Sequence, residues 1–441
     1  MADIAPLSPL RYDLKKSALE KVVAPPYDVI DGAQRAALAA RDPHNIVRLI
    51  LPEGEGDQKY ANAAELFAAW RASGVLVRDE KPGFYRYDQS FAAPGQAGGP
   101  RITRRGFFAL VRLQPFSERV ILPHERTLSG PKEDRLKLFR ATKTNLSPGF
   151  MLYRDAERAL DGALAKATTL AEIATDDGVT HALSKIEDPE AMRAIVKKIG
   201  ESTLLIADGH HRYETALRYA EETRAAHPGA PANGRHNYFM VFLTNGDDPS
   251  LVVFPTHRHV HSLAALDWNA LPERAKGAFD VEVLGAGLPA DALLAKLAEA
   301  GKRAPSVVGA APDGRAALFS LKKDIDLAAH PTLGATHAAL RTTDVAVLHM
   351  GLFEHVLGIT REAQAAKTNL WYPQDGAGAL SDLRGGKGQA LFLMNATPVA
   401  DVRRVAEAGE VMPQKSTFFY PKIATGMCIH TLEHDATVAS V

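Results

Sequence analysis

The sequence lacks the features that identify secreted and membrane-spanning proteins. It has a single cysteine, Cys428, so no disulfide can form within the chain, and this usage is typical of a reducing cytoplasm. The N-terminus has no basic stretch followed by an apolar one, and we predict no signal peptide. Because no apolar run is long enough to cross a bilayer, we expect a cytoplasmic protein without a membrane partner.

An excess of either charge is also missing. Lysine and arginine together number 52, aspartate and glutamate together number 52, and the net charge is therefore zero. Proteins that hold DNA by bulk electrostatics are basic, so specific DNA binding is not expected. With 441 residues, 46% of them hydrophobic and 24% charged, the chain has the composition of a globular protein of one to three domains.

One short stretch around residue 208 organises the sequence. An apolar run of strand length, residues 204–207, is followed by a polar turn and then by apolar residues at helical spacing: Tyr213, Ala216, Leu217 and Ala220. This pattern predicts a buried strand, a tight turn and a helix. We expect Asp208 to be the helix N-cap and Gly209 to allow the sharp turn.

The first turn of this predicted helix carries three basic residues, His210, His211 and Arg212. Cations are mildly unfavourable at the positive end of a helix dipole, by about 0.3–1 kcal/mol each. The first-turn N–H groups also attract anions, so a bound phosphate or carboxylate would turn this conflict into a binding site. The alternative is that Asp208 and Glu214 neutralise the arginine and that the histidines lie at the surface.

A second polar stretch begins where a short apolar run ends at Pro123. It places His124 and Glu125 at the end of a predicted strand, where catalytic residues often lie. The pair lacks the His-Glu-x-x-His spacing of a zinc site, and we assign no metal ligand to the protein.

A basic helix and a late cluster of donors are further candidates for binding phosphate. The helix is predicted over residues 132–142, with Lys132 and Arg135 on it. Near the C-terminus, three neighbouring side chains form a compact donor set: Lys415, Ser416 and Thr417. The alternatives are a solvated helix face and a terminal strand with incidental polarity.

Strands and helices alternate along much of the chain, which indicates an α/β fold with a mixed sheet. Further predicted strands are residues 46–51, 83–91, 103–113, 179–186 and 237–245. Further predicted helices are residues 33–41, 60–73, 156–170 and 189–199, and a flexible hairpin loop is predicted for residues 92–101. We predict two regions, a motif-bearing region over 1–265 and a C-terminal α/β region over 266–441 that contributes a late strand to the site.

Five segments together resemble the uncharacterised family DUF1015: Ala24-Pro25-Pro26-Tyr27-Asp28, Leu122-Pro123-His124-Glu125, Ala207-Asp208-Gly209-His210-His211-Arg212-Tyr213, Pro255-Thr256-His257-Arg258 and Met412-Pro413-Gln414-Lys415-Ser416-Thr417. The central segment is also similar to the strand–turn–helix signature of the ParB/sulfiredoxin-like superfamily. That resemblance implies a ParB/sulfiredoxin-like core that binds nucleotide phosphates at the helix start. Some members of the superfamily are kinases of free serine that use a carboxylate as base.

These observations lead to the hypothesis of a nucleotide-dependent phosphotransferase that acts on a small hydroxyl compound, such as serine. The phosphates would be bound at the helix start by Gly209, His210, His211 and Arg212. Glu125, with His124 beside it, would take the proton of the acceptor. Charge on the transferred group would be met by a set of basic and hydroxyl side chains: Lys132, Arg135, Lys415, Ser416 and Thr417. The expected cofactors are ATP or ADP and Mg²⁺, with Asp208 near the metal.

Two alternative functions stay open. A regulator that binds a nucleotide or metabolite without turnover would use the same turn and would not need Glu125. A phosphatase would use His210 or His211 and would release inorganic phosphate without any acceptor.

Overall fold

The chain forms two compact units whose segments interleave along the sequence. The computed structural model describes residues 1–93, 99–127 and 129–441. The first unit comprises Met1–Pro123, Thr127–Val252 and Pro421–Val441, and the second comprises His124–Arg126 and Val253–Tyr420. These bounds differ from the predicted regions, 1–265 and 266–441. The short segment His124–Arg126 belongs to the second unit, and the C-terminal segment Pro421–Val441 belongs to the first. Glu125 forms a parallel bridge with Met412.

The first unit is built on a nine-stranded mixed sheet. Eight of its strands lie in the order Ile121–Leu122, Leu204–Asp208, Gly149–Tyr153, Tyr238–Asn245, Arg101–Arg112, Phe84–Ala92, Thr180–Ile186 and Thr168–Ala174, and Ile4–Ala5 pairs with Arg101–Arg112. The strand Tyr238–Asn245 runs parallel to Gly149–Tyr153 and antiparallel to Arg101–Arg112. Its first seven residues are buried, which explains the continuous apolar run in the sequence.

Helices cover this sheet, and short ladders complete the unit. The helices are Leu19–Val22, Gly32–Arg41, Val47–Ile50, Gln58–Ala72, Ser129–Thr142, Asp161–Leu164, Pro189–Gly200 and His210–Ala226. The ladders pair Leu10–Tyr12 with Leu76–Arg78 and Thr144–Asn145 with His430–Thr431. Single helical turns are Tyr27–Val29, Phe116–Glu118 and Arg235–Asn237.

The second unit contains a six-stranded antiparallel sheet with apolar clusters on both faces. Its strand order is Phe279–Leu284, Ala316–Leu321, Ser306–Ala310, Ala390–Met394, Arg258–Val260 and Leu370–Trp371. Neighbouring residues alternate between the clusters, with Val307 in one and Val308 in the other. The strands Val252–Phe254 and Phe418–Tyr420 form a separate pair.

The helices of the second unit include one π-helical segment, Val347–Glu354. The others are Ala270–Ala275, Ala290–Gly301, Ala338–Arg341, Asp344–Ala346, Arg361–Ala366, Gly376–Arg384 and Val399–Glu407. Across the described residues of both units, each helix is too short or too polar to cross a lipid bilayer.

The mixed α/β prediction is confirmed, but two predicted elements are wrong. Residues 46–51 were expected to form a strand, yet Val47–Ile50 is helical, because the Asn45 side chain accepts the N–H of Val47 at 3.0 Å and starts a turn. Residues 156–170 are not one helix, because the threonines that begin Thr168–Ala174 pair in the sheet. A hairpin loop was predicted for residues 92–101. Its first and last residues, Ala92 and Arg101, pair with each other, and residues 94–98 lie outside the described residues.

Gly106 lies in a strand position that has no room for a side chain. A Cβ there would lie 2.3 Å from the Phe242 ring and 2.4 Å from the carbonyl oxygen of Leu243. We expect Gly106→Ala to lower the free energy of unfolding by about 1–3 kcal/mol, measured in urea, because overpacking forces neighbours to move. In the control Gly32→Ala, a Cβ meets nothing within 4 Å. That variant should change stability by only about 0.5 kcal/mol, and equal losses in both would contradict this packing.

Candidate functional site

The predicted strand–turn–helix is present in the first unit. The strand Leu204–Asp208 ends at Gly209, and the 17-residue helix His210–Ala226 follows. Gly209 has a φ of +95°, a left-handed conformation that strains any residue with a Cβ. The predicted N-cap is corrected, because Gly209 itself is the cap and Asp208 binds cations instead. Because glycine has no side chain, the cap residue Gly209 offers no side-chain acceptor to the first-turn N–H groups.

Asp208 is held between two cations. One carboxylate oxygen accepts a hydrogen bond from Lys422 Nζ at 2.6 Å, and the other accepts a bond from the Arg212 guanidinium. Arg212 also donates to the carbonyl of Pro148. Burial would raise the pKa of Asp208, but the charges of Lys422 and Arg212 outweigh burial and hold this pKa well below its ordinary value. Asp208 is therefore ionised at neutral pH.

Arg104 is a third cation that interacts with Asp208 through its charge. It is fully buried, and its guanidinium lies 4.7 Å from the centre of the Phe150 ring. Burial lowers the pKa of Arg104 to about 9, while the nearby charge of Asp208 acts in the opposite direction. We call Asp208, Arg212, Lys422 and Arg104 the Asp208 cluster. The cluster has more positive than negative charge, because one carboxylate binds Arg212 and Lys422 directly and also interacts through its charge with Arg104.

The two histidines of the first turn differ in exposure. His210 is buried, and its charge is one of the influences that lower the pKa of Asp208. His211 is half-buried. The alternative in which both histidines lie at the surface is therefore wrong for His210. The part of that alternative in which Asp208 neutralises Arg212 is confirmed.

Lys132 and Arg135 lie on the helix Ser129–Thr142 and are both engaged in ion pairs. Lys132 Nζ lies 2.8 Å from the Glu214 carboxylate. Arg135 pairs with Asp134, and its guanidinium lies 4.3 Å from the centre of the Tyr27 ring. Two other basic side chains of this helix pair with acids at the surface, as expected for a solvated helix face: Lys137 with Asp57 and Arg140 with Glu222.

His124 and Glu125 belong to the second unit. The carbonyl of His124 accepts the N–H of Met412 at 2.7 Å, and Glu125 forms a parallel bridge with the same residue. His124 is fully buried, and its Nε2 lies 2.9 Å from the Thr417 hydroxyl. These contacts hold the segment of His124 and Glu125 against the segment of Met412 and Thr417.

The late donor set lies in the same unit. The Ser416 hydroxyl donates to the carbonyl of Pro413, so it is used within the turn. Lys415 has a left-handed backbone, with a φ of +58°. Burial and the charge of Lys415 lower the pKa of Lys367, whereas the charge of Glu125 raises it. Lys415 and Glu125 therefore lie near a common neighbour, Lys367.

Arg258 is a candidate that the sequence analysis did not include among the site residues. It is fully buried, its Nε donates to His349 Nε2 at 2.9 Å, and its guanidinium lies 4.9 Å from the centre of the Tyr372 ring. Burial lowers the pKa of Arg258 to about 10, while the charges of Tyr372 and Glu125 act in the opposite direction. The sequence offered one signal for Arg258, which is its place in the segment Pro255-Thr256-His257-Arg258 that resembles the DUF1015 family.

The first unit also holds residues that the analysis missed. Lys422 lies five residues after Thr417 in the sequence, and this spacing gave no reason to connect it with Asp208. Arg104 occupies an inward position of a strand, which the alternating pattern alone does not mark as functional. Tyr27, which the sequence analysis named only within a family-like segment, contacts Arg135. Burial and the charge of Asp28 raise its pKa, while the charges of Arg212 and Arg135 act in the opposite direction.

The structure divides the predicted site residues between the units. The first unit holds Lys132, Arg135, Asp208, Gly209, His210, His211 and Arg212, and the second holds His124, Glu125, Lys415, Ser416 and Thr417. Asp208 does not fit the expected role beside Mg²⁺, because both of its oxygens already bind cations. In the part of the chain that the structure describes, no three His, Cys, Asp or Glu side chains are grouped to hold a metal ion.

Comparisons with known proteins give one family and several remote structures. Residues 4–346 match the family described as "Protein of unknown function (DUF1015)". Among solved structures, a conserved hypothetical protein from Pyrococcus furiosus is 15% identical, with a TM-score of 0.36 and coverage of 72% of this chain and 92% of that chain. A free serine kinase in complex with AMP is 15% identical, with a TM-score of 0.37 and coverage of 71% and 86%.

A third structure, SbnI with a C-terminal truncation from Staphylococcus aureus, is 11% identical, with a TM-score of 0.34 and coverage of 74% of this chain and 87% of that chain. At such scores these likenesses carry no argument about activity. A comparison with curated proteins gives no match.

Asp208→Asn is expected to destabilise the protein in a pH-dependent way. The substitution leaves buried cations without their carboxylate, and we expect a loss of roughly 3 kcal/mol in unfolding free energy at neutral pH. Since the pKa of Asp208 is lower in the folded than in the unfolded state, this stabilisation exists above the unfolded pKa of about 4 and is lost as the pH falls toward the folded value.

Urea unfolding of both proteins from neutral pH down to about pH 3 measures this effect, and the difference in free energy should shrink on acidification. Lys137→Met, which breaks an exposed pair with Asp57, is the control and should change the stability far less than Asp208→Asn at neutral pH. A difference between wild type and Asp208→Asn that stays constant with pH would contradict the assigned ion pairs.

Proposed function

Since the chain belongs to the DUF1015 family, which is described only as proteins of unknown function, we propose its activity from its own geometry. We propose a nucleotide-dependent phosphotransferase that acts on a small hydroxyl compound. The observation that carries the proposal is the Asp208 cluster at the start of the helix His210–Ala226. Surplus positive charge lies there at the positive end of the helix dipole, and an oligophosphate is attracted by both.

The residues of the turn have distinct roles in this proposal. Gly209 lets a phosphate approach the backbone, because it has no Cβ. His210 and His211 donate from the first turn, and Asp208 holds Arg212 and Lys422 in fixed positions. ATP and ADP are the nucleotides to test first. The free serine kinase structures were determined with AMP or ADP, but the likeness to them does not support the proposal.

Glu125 is the proposed general base. The hydroxyl oxygen of the acceptor attacks the terminal phosphorus, and Glu125 takes the hydroxyl proton. The bond between that phosphorus and the nucleotide oxygen breaks, and its electron pair stays with the nucleotide. Lys367, which lies near Glu125, and Lys415, which lies near Lys367, are suited to offset the negative charge of the transferred group.

Two substitutions test nucleotide binding and proton removal separately. His211→Ala should weaken ADP binding by about tenfold or more in calorimetry, because a charge-assisted bond to phosphate is lost. Glu125→Gln should bind ADP like the wild type but should lose phosphoryl transfer from ATP or ADP to a panel of hydroxyl compounds by about 100-fold or more. Arg140→Met, which breaks a surface pair with Glu222, is the control for binding.

Three outcomes would count against this function. A wild type that binds neither ATP nor ADP would contradict it outright. Nucleotide binding without transfer to any hydroxyl compound would favour the regulator. Release of inorganic phosphate in the absence of an acceptor would favour the phosphatase.

A further inference from the structure

The second unit contains a cavity of about 180 Å³ that the sequence analysis did not anticipate. Part of its wall is apolar and is formed by Leu340, Met350 and Met412. Its polar side includes Arg126, His349, Gln364 and Tyr372. A cavity of this size accommodates a small metabolite.

Glu125 lies beside this cavity. It forms a bridge with Met412, and the next residue along the chain, Arg126, lines the wall. Burial raises the pKa of Tyr372, and the charge of Glu125 raises it further against the opposing charge of Arg258. The proposed base therefore adjoins the wall at Met412, Arg126 and Tyr372.

A chain of buried hydrogen bonds fixes the polar side of the wall. Arg258 can only donate, so Nε2 of His349 accepts from it at 2.9 Å. The proton of His349 is therefore on Nδ1, which donates to Gln364 Oε1 at 2.7 Å. Burial, followed by the charge of Arg258, lowers the pKa of His349 to about 3, so the ring is neutral at physiological pH. The wall thus presents rigid, neutral groups from a π-helical segment, a form frequent at functional sites.

The charges around the cavity favour an organic anion. Arg126 makes no ion pair with any residue that the structure describes. Lys367 lies near both Glu125 and Lys415, whereas Glu410 is a half-buried acid on the wall. An ammonium group would enter a region with several cations and apolar side chains, where it is poorly solvated.

We propose that this cavity binds the acceptor of the phosphoryl group, and that the acceptor is a small hydroxy acid with an alkyl group in place of an α-ammonium group. Its carboxylate bonds to Arg126, its alkyl part packs on Leu340, Met350 and Met412, and its hydroxyl faces Glu125. The role as acceptor rests on the proposed function, whereas binding of the acid does not.

Two ligands that differ in a single group test this assignment. Serine and 3-hydroxy-2-methylpropanoate of matching configuration share a carboxylate and a hydroxyl, and the ammonium of one is a methyl group in the other. In calorimetric titrations of the full chain without nucleotide, we expect the methyl compound to bind about tenfold or more tightly than serine. Arg126→Met should weaken its binding by about tenfold or more. Arg303→Met, an exposed arginine of the same unit away from the cavity wall, should leave binding unchanged.

Serine binding at least as tightly as the methyl compound would overturn the assignment, and so would unchanged binding in Arg126→Met. Tighter serine binding that Glu410→Gln abolishes would show that Glu410 holds the ammonium group, which also overturns it. A parallel ADP titration separates the two proposals. If ADP binds and the acid does not, only the cavity assignment is contradicted. If ADP does not bind, the proposed function is contradicted, and the acid titration still tests the cavity assignment.

Discussion

The carboxylate of Asp208 is the interaction on which the first unit depends. It binds Arg212, four residues along the chain, and Lys422, which is 214 residues away. The C-terminal segment is thereby tied to the end of the central strand. Burying such charges costs desolvation free energy, so the arrangement is favourable only while every partner is in place. The same contacts leave positive charge at a helix start, where an anion restores the balance.

The second unit uses a similar device with different partners. Arg258 is fully buried, and its bonds go to a neutral histidine and to backbone carbonyls rather than to a carboxylate. Its guanidinium lies near enough to Glu125 for the charge of that carboxylate to act on it. Each unit thus has a buried arginine near a carboxylate. Arg212 pairs with Asp208, and Arg258 lies near Glu125. Preorganised charges of this kind are what phosphoryl transfer requires of a protein.

Sequence reasoning was strongest where the information is local. The strand, the left-handed Gly209 and the following helix were predicted because adjacent residues determine them. The N-cap was predicted wrongly, since Asp208 bonds to Lys422, a partner that no local pattern reveals. The function of the basic helix was ambiguous for the same reason, because Glu214 and Glu222 neutralise it from a distant segment. Arg104 gave no signal, since an inward strand position usually predicts packing alone.

The central claim is that an oligophosphate docks at the turn after Asp208, and a crystal structure of the protein grown with ADP tests it most directly. The account predicts phosphate oxygens within hydrogen-bond distance of the backbone N–H groups of His210 and His211, with the Asp208 pairs intact. ADP bound elsewhere, with no anion at this turn, would contradict it.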